Sequence, residues 1–216
     1  MNTRTLEINL EDCPVESRSL RAKRAFDLIV AIPAAVLLSP LFAAIAVWVK
    51  LDSRGPVFFR QERAGQFGRT FRIFKFRTMV VDAEKHGTLI TVGADRRITR
   101  SGRLLRKYKL DELPQLFNVI KGEMSLVGPR PEVPRYVKTY TEDQRRILAL
   151  KPGVTSVASI AFSDESEVLA RQDDPESFYR AQLIPAKIRE DLGYAKRATV
   201  LSDCALVAKT FFRIFG

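Results

Sequence analysis

From Leu28 to Val49 the chain carries no charge for 22 residues (LIVAIPAAVLLSPLFAAIAVWV). At about 1.5 Å rise per residue, a straight helix of that length would reach roughly 33 Å, enough to cross a bilayer core. Pro33 and Pro40 interrupt the run, and Ser39-Pro40 lies near its middle, where a helix should bend. Ser39 could bond a carbonyl that Pro40 frees, which matters where no water can do so. The flanks are basic on both sides: Arg18, Arg21, Lys23 and Arg24 before, then Lys50, Arg54, Arg60 and Arg63 after. A spanning helix should show a positive-inside asymmetry, and this one shows none. On the residues alone three readings stay open: a spanning helix, a re-entrant helix–break–helix with both ends on one side, and a buried helix of a soluble protein.

Around that run the pattern predicts short elements. Residues 1–18 are polar and aperiodic, a loosely ordered lead, and no small-residue cleavage site follows the apolar stretch to make it a secretory signal. Val57–Arg60 reads as a strand, Gly65 and Gly68 as a turn, and Phe71–Phe76 as a returning strand. Period two places Lys75 and Arg77 on one face of it. Residues 83–97 read as a loop and Ser101–Lys109 as a short helix. Arg135–Leu150 and Pro175–Leu192 are helical in pattern, the second broken near Pro185. Val200–Phe215 is amphipathic, with Val200, Cys204, Val207 and Phe211 as a stripe expected to pack on the core and a closing Phe-Phe-Arg-Ile-Phe suited to a bilayer interface. The predicted class is α+β and mostly helical, divided into the lead 1–18, the apolar unit 19–52 and the remainder 53–216.

Charge narrows the chemistry. The net charge is +11, and residues 54–110 alone hold fifteen Lys/Arg against four Asp/Glu, which accounts for the whole imbalance. Such a block expects an anionic partner: nucleotide phosphates, lipid headgroups or nucleic acid. Cys13 and Cys204 lack metal-ligand spacing, and a single histidine, His86, excludes any multi-histidine centre. No P-loop, dinucleotide-binding glycine pattern or zinc spacing occurs.

The most specific stretch is Leu110–Pro134, LDELPQLFNVIKGEMSLVGPRPEVP. Asp111 and Glu112 follow the basic segment directly. Pro114 suits the first turn of a helix, Leu113, Leu116, Phe117 and Ile120 recur at helical spacing, and Gly122 ends the run. The carboxylates therefore belong at or just before a helix start, where free N–H groups favour anions. Arg130 is fixed between Pro129 and Pro131. Arg103, Arg106 and Lys107, taken with the pair, suggest a phosphate cradle that keeps carboxylates ionised. A carboxylate pair among cations suits phosphate chemistry with Mg²⁺, which takes one or two carboxylates plus substrate oxygens.

This stretch resembles the core signature of the bacterial sugar transferase family, the monotopic phosphoglycosyl transferases. The likeness extends to GPVFFRQERAGQFGRTFRIFKFRTM (Gly55–Met79) and ITRSGRLLRKYK (Ile98–Lys109), in the family's order. Lys151–Thr155 (KPGVT) matches the family's usual turn, whereas Ser156–Ser159 departs from the Gly-Trp-Ala-Gln type of sequence, which leaves the sugar open. The resemblance implies a re-entrant membrane hairpin broken at Ser39-Pro40, and a small cytoplasmic domain with a short β-hairpin and amphipathic interface helices. It implies a location on the cytoplasmic face of the bacterial inner membrane. It implies transfer of a sugar-1-phosphate from a UDP-sugar to a polyprenyl phosphate, undecaprenyl phosphate by expectation, with release of UMP. In that reading Asp111 attacks the sugar-proximal phosphorus, and Glu112 helps hold Mg²⁺ or manage protons. Lys75, Arg77, Arg103, Arg106, Arg130 and Pro131 form the phosphate and nucleotide site. The partners are then UDP-sugar, lipid phosphate and bilayer, and not nucleic acid; the oligomeric state stays open, a homo-oligomer included. Two rivals compete. A membrane-tethered nucleic-acid binder explains the charge but gives Asp-Glu and Pro-Arg-Pro no task. A lipid-binding protein with a decayed site conflicts with the intact motif residues.

Overall fold

The computed structural model describes residues 17–83, 90–93 and 95–215. Most of the lead expected over 1–18, with Cys13, His86 and Gly87, lies outside the described residues. The apolar run forms two helices, α1 (Ser17–Leu37) and α2 (Ser39–Asp52), bent by 58° where they meet. Pro40 lies in the first turn of α2 and cannot donate to the Val36 carbonyl one turn back. The Ser39 hydroxyl donates to that carbonyl at 2.7 Å. Pro33 sits inside α1 without ending it. Among the described residues no single helix is long and apolar enough to cross a membrane, though the bent pair together is.

Strands β1 (Phe58–Ala64) and β2 (Thr70–Phe76) form an antiparallel hairpin, in register from Phe58 opposite Phe76 to Ala64 opposite Thr70. β1 continues past the expected end at Arg60. β2 stops at Phe76, so the period-two argument does not reach Arg77, and the Lys75 and Arg77 side chains go to different places. Next come α3 (Arg100–Lys107), whose Thr99 side chain accepts from the Gly102 N–H, a 3₁₀ turn (Leu110–Glu112), and α4 (Gln115–Lys121). Gly122, at φ 85°, supplies the left-handed residue that ends α4. Strand β3 (Ser125–Val127) pairs in parallel with β4 (Gly153–Thr155) across the short helices α5 (Pro134–Val137) and α6 (Glu142–Arg145). The chain finishes through α7 (Val157–Ala161), α8 (Glu165–Ala170), α9 (Pro175–Phe178), a π turn (Tyr179–Leu183), α10 (Ile184–Ala195) and α11 (Val200–Phe215). Pro185 falls in the first turn of α10, directly after the π turn, which is where the expected break near Pro185 lies.

One hydrophobic core joins the broken helix to the rest. Phe42, Ile45 and Val49 of α2 are buried with Phe76 of β2, Leu105 of α3 and Val119 of α4. Helix ends reinforce that joint. Arg24 of α1 donates to the Val119 and Ile120 carbonyls at the end of α4, at 2.6 and 2.9 Å. Asp27, 2% exposed, accepts from the Ser125 hydroxyl and the Leu126 N–H. Asp52, closing α2, accepts from the Ser101 N–H and hydroxyl in the first turn of α3. Cations near a helix C-terminus and anions near an N-terminus are the favourable arrangement. The flanking charge that gave no topology signal therefore serves in part as mortar between elements.

Helix α11 has the predicted bounds, and of the predicted stripe Val207 packs on the core whereas Cys204 and Phe211 do not. Asp203, Leu206, Val207 and Thr210 face inward, while Cys204 is exposed and Phe211 and Phe212 are 59% and 72% exposed. Polar partners turned it: Asp203 pairs with Lys23 and accepts from the Tyr194 hydroxyl, and Thr210 meets Thr155 at 2.7 Å.

The β3–β4 contact depends on two glycines. A Cβ on Gly153 would lie 2.1 Å from the Gly128 nitrogen, and one on Gly128 would lie 2.3 Å from the Lys151 carbonyl oxygen. Gly153 also donates to the Pro129 carbonyl at 2.9 Å, so this close backbone approach fixes where Pro129-Arg130-Pro131 begins. Gly153→Ala should cost about 2 kcal/mol or more, because the clash is with backbone and cannot be relieved by a rotamer change. A lowered midpoint in urea unfolding checks this; an unchanged midpoint would mean that the two segments slide apart freely.

Candidate active site

The carboxylate pair is set by a strained entry. After α3 the chain turns through Lys109 at φ 52°, a left-handed conformation costly for a residue with a Cβ, and this drops Asp111 and Glu112 into the 3₁₀ turn just before α4. Pro114 and Gln115 follow, both buried. Asn118 then locks α4 to the hairpin. Its amide donates to the Arg72 carbonyl and the Glu123 carboxylate, and its oxygen accepts from the Phe74 N–H. Asn118 is fully buried. The sequence hinted at it only as a polar residue between apolar Phe117 and Val119.

Two distant segments converge on Glu112. Lys75 of β2 donates to Oε1 at 2.7 Å, and Arg130 donates to Oε1 at 2.6 Å and to Oε2 at 3.2 Å. The Glu112 and Lys75 side chains are 13% and 15% exposed, so the pairing is largely desolvated. Burial opposes ionisation of Glu112, but Arg130 and Lys75 outweigh it and hold the carboxyl well below the usual range. In return Glu112 raises the Arg130 guanidinium, whereas burial lowers the Lys75 ammonium despite Glu112.

Asp111 is the opposite case. It is 6% exposed, and its Oδ1 is buried with no hydrogen-bond partner. Burial first, then the charge of Glu112, pushes its pKa up to about 6, against the pull of Lys75, Arg106 and Lys109. Adjacent carboxylates thus have distinct states: one clamped by cations, one buried with a bare oxygen.

The other expected site residues divide. Arg106 donates to the Thr78 and Thr91 hydroxyls, at 2.9 and 3.1 Å, and its charge still acts on Asp111. Arg103 is exposed on α3. Arg77 is 4% exposed and donates to the Val49, Ser53 and Arg54 carbonyls and the Ser53 hydroxyl. Its guanidinium is committed to the C-terminal end of α2 rather than brought to the carboxylates. Pro131 is buried and lines two clefts that meet at Arg130. The larger, with about 50 Å³ of room, runs past Glu132, Tyr140, Lys187 and Asp191. The smaller, too tight to admit a water molecule, is lined by Arg63, Ile73, Lys75, Gln115, Arg130 and Pro131. Arg63 and Gln115 were not foreseen; both lie inside the quoted motifs, but nothing in their spacing marks them.

The described residues hold no cluster of three or more His, Cys, Asp or Glu able to enclose a metal by themselves. Mg²⁺ seldom needs one, since it keeps waters and borrows substrate oxygens. The bare Oδ1 of Asp111 is a fitting donor. Glu112 fits less directly, because both of its oxygens already accept from cations.

A sequence profile described as bacterial sugar transferase matches residues 18–216. The chain is 39% identical over 193 residues to the UDP-N-acetylgalactosamine-undecaprenyl-phosphate N-acetylgalactosaminephosphotransferase of Aeromonas hydrophila, covering 87% of this chain and 42% of that one. It is 40% identical over 201 residues to the UDP-glucose:undecaprenyl-phosphate glucose-1-phosphate transferase of Xanthomonas campestris, covering 90% and 39%. The exopolysaccharide production protein ExoY of Sinorhizobium fredii is 33% identical over 217 residues, with 91% and 89% covered. The chain thus spans about two fifths of the first two relatives and most of the third.

Asp111→Asn isolates the buried carboxyl. Its folded pKa of about 6 lies above the usual 3.8, so the folded state holds the proton more tightly than the unfolded chain. Stability from this group is therefore lost as pH rises from about 4 to about 6, on the order of 2–3 kcal/mol, and the loss is constant above that. The melting temperature of Asp111→Asn minus that of the parent should climb over this window and then level off. A flat difference would show that Asp111 is not held in a desolvated state.

Proposed function

The chain belongs to the bacterial sugar transferase family, and on that footing we propose that it transfers a sugar-1-phosphate from a UDP-sugar to a polyprenyl phosphate, with release of UMP. The observation that carries the assignment of roles is the asymmetry of the pair. Glu112 cannot attack without abandoning Lys75 and Arg130, whereas Asp111 offers a buried oxygen with no partner. With a pKa of about 6 it is ionised by about ten to one at pH 7. An Asp111 oxygen attacks the sugar-proximal phosphorus, the bond from that phosphorus to the bridging oxygen breaks, and UMP leaves with the electron pair. The lipid phosphate oxygen then attacks the same phosphorus and the bond to Asp111 breaks, restoring the carboxylate. Arg130 and Lys75 hold Glu112 in place and turn positive charge toward the diphosphate; Arg106 adds its charge from α3. Asp111 would hold Mg²⁺ together with substrate oxygens, Glu112 reaching it only by exchanging a cation. When bound, the ion supplies further neutralisation of the diphosphate. The relatives' names give N-acetylgalactosamine and glucose at nearly equal identity, so likeness at this level spans more than one sugar.

We place the reaction at the cytoplasmic face of the inner membrane, with α1 and α2 as a re-entrant segment. The uncharged arms Leu28–Leu37 and Ser39–Val49 are about 15 and 17 Å long at 1.5 Å per residue. Bent by 58°, arms of that length have ends about 28 Å apart, close to the ~30 Å hydrocarbon core, so the re-entrant reading is supported by the proline break and the equally basic flanks and not by length. Exposed Ile29, Val36, Leu37, Val47 and Leu51 give that segment an apolar exterior, and Phe211 and Phe212 of α11 add a second apolar surface.

The reaction is tested by intact-mass analysis after incubation with UDP-sugar alone. About one UMP per enzyme should appear with a phosphosugar adduct on Asp111, and its formation should fall as pH drops through about 6. Asp111→Asn should abolish the adduct, and EDTA should stop turnover until Mg²⁺ is restored. An adduct on Glu112, or transfer to lipid with no adduct, would overturn the mechanism; full activity in EDTA would remove the metal.

Topology is tested separately. Cysteines placed near Arg18 and Arg54 should both be labelled only from the cytoplasm. Pro40→Ala should shift part of the population toward spanning, because it restores a helix hydrogen bond worth about 1 kcal/mol. Periplasmic labelling at either position in the parent would mean a spanning helix.

A further inference from the structure

Buried polar atoms without a hydrogen-bond partner are scarce in folded proteins, and each calls for an explanation. Among the described residues six side-chain atoms meet that description, and three of them belong to Asp111, Gln115 and Arg63. Asp111 is accounted for as the attacking group. The other two are donors, Gln115 Nε2 and Arg63 Nε, and both residues line the smaller cleft beside Glu112. Gln115 is 2% exposed. Arg63 holds its place by donating to the Pro131 carbonyl at 3.2 Å and to the Gln61 side chain at 2.5 Å. Lys75 and Arg130 complete the lining. Three cations and an amide donor line the cleft, and carboxylates answer the cations: Glu112 holds Lys75 and Arg130, and Glu132 lies 3.7 Å from Arg63.

We propose that this cleft is a phosphomonoester subsite, with Arg63 and Gln115 as binding residues beside Lys75 and Arg130. The inference rests on the transfer reaction proposed above and adds two residues to it. A phosphate oxygen supplies the acceptor that Gln115 Nε2 and Arg63 Nε lack, and three oxygens on one group can meet both donors at once. The cleft is narrow, and its outer wall is Arg130, whose side chain is 40% exposed. Admitting a phosphate requires that side chain to swing outward, exchanging part of its bond to Glu112 for one to the ligand. The reaction offers two phosphomonoesters, the departing UMP and the arriving lipid phosphate. Their chemistry at this cleft is the same, and the two half-reactions tell them apart.

The test uses Gln115→Met, which keeps length but removes the donor, and Arg63→Lys, which keeps charge but removes Nε. UMP affinity is measured by titration calorimetry. Adduct formation from UDP-sugar and adduct decay on adding polyprenyl phosphate are followed separately by mass spectrometry. If the cleft takes the leaving phosphate, both variants should bind UMP roughly tenfold more weakly and slow adduct formation. If it takes the acceptor, adduct decay should slow by a similar factor with UMP affinity unchanged. Gln115→Met should melt no lower than the parent, since an unpartnered buried donor contributes nothing to the fold. Normal UMP affinity and normal rates in both half-reactions would overturn the subsite, as would a lowered melting temperature that accounts for any loss. Failure of the parent to form an adduct with any UDP-sugar would instead defeat the transfer reaction itself.

Discussion

Glu112 is where the molecule is tied together. A carboxylate that is 13% exposed would not stay ionised alone, and the two cations that keep it so come from β2 and from the Pro-Arg-Pro segment. Each has its own support. Lys75 is carried by a hairpin pinned to α4 through Asn118, and Arg130 begins where Gly128 meets Gly153. The ion cluster therefore sets the distance between three segments, and in doing so leaves the neighbouring Asp111 buried among charges with one oxygen unused. Desolvation that burdens the fold at this point is what distinguishes two residues of the same chemistry.

The elements with strong local signals were legible in advance. The Ser39-Pro40 break, the helix after Pro114 ending at Gly122, the hairpin and the bounds of α11 all follow from periodicity and from proline and glycine placement. What the chain did not disclose was the choice of partner for each charge. Arg77 and Lys75 sit two residues apart in one basic motif, yet Arg77 turns to the carbonyls ending α2 and Lys75 to Glu112. Helix α11 offered an apolar stripe, but an ion pair, a tyrosine hydroxyl and a threonine contact turned another face inward. Gln115 and Arg63 showed no pattern because their significance is a missing bond, which exists only in three dimensions.

The broken helix is held at both of its ends by the elements it meets. Arg24 closes α4, Asp27 holds β3, Asp52 opens α3, and Arg77 closes α2 in return. α3 and α4 are also the helices on either side of the carboxylate turn. The chain therefore cannot be divided at residue 52 into an anchor and a soluble enzyme. A fragment beginning at residue 53 would bare the faces of Leu105, Leu116 and Val119 that α1 and α2 cover, and would strip the caps from the far ends of the two helices that carry the reacting turn. Detergents or lipids that loosen α1 and α2 act on the same joint, so the choice of amphiphile during purification bears on the two helices between which Asp111 is held.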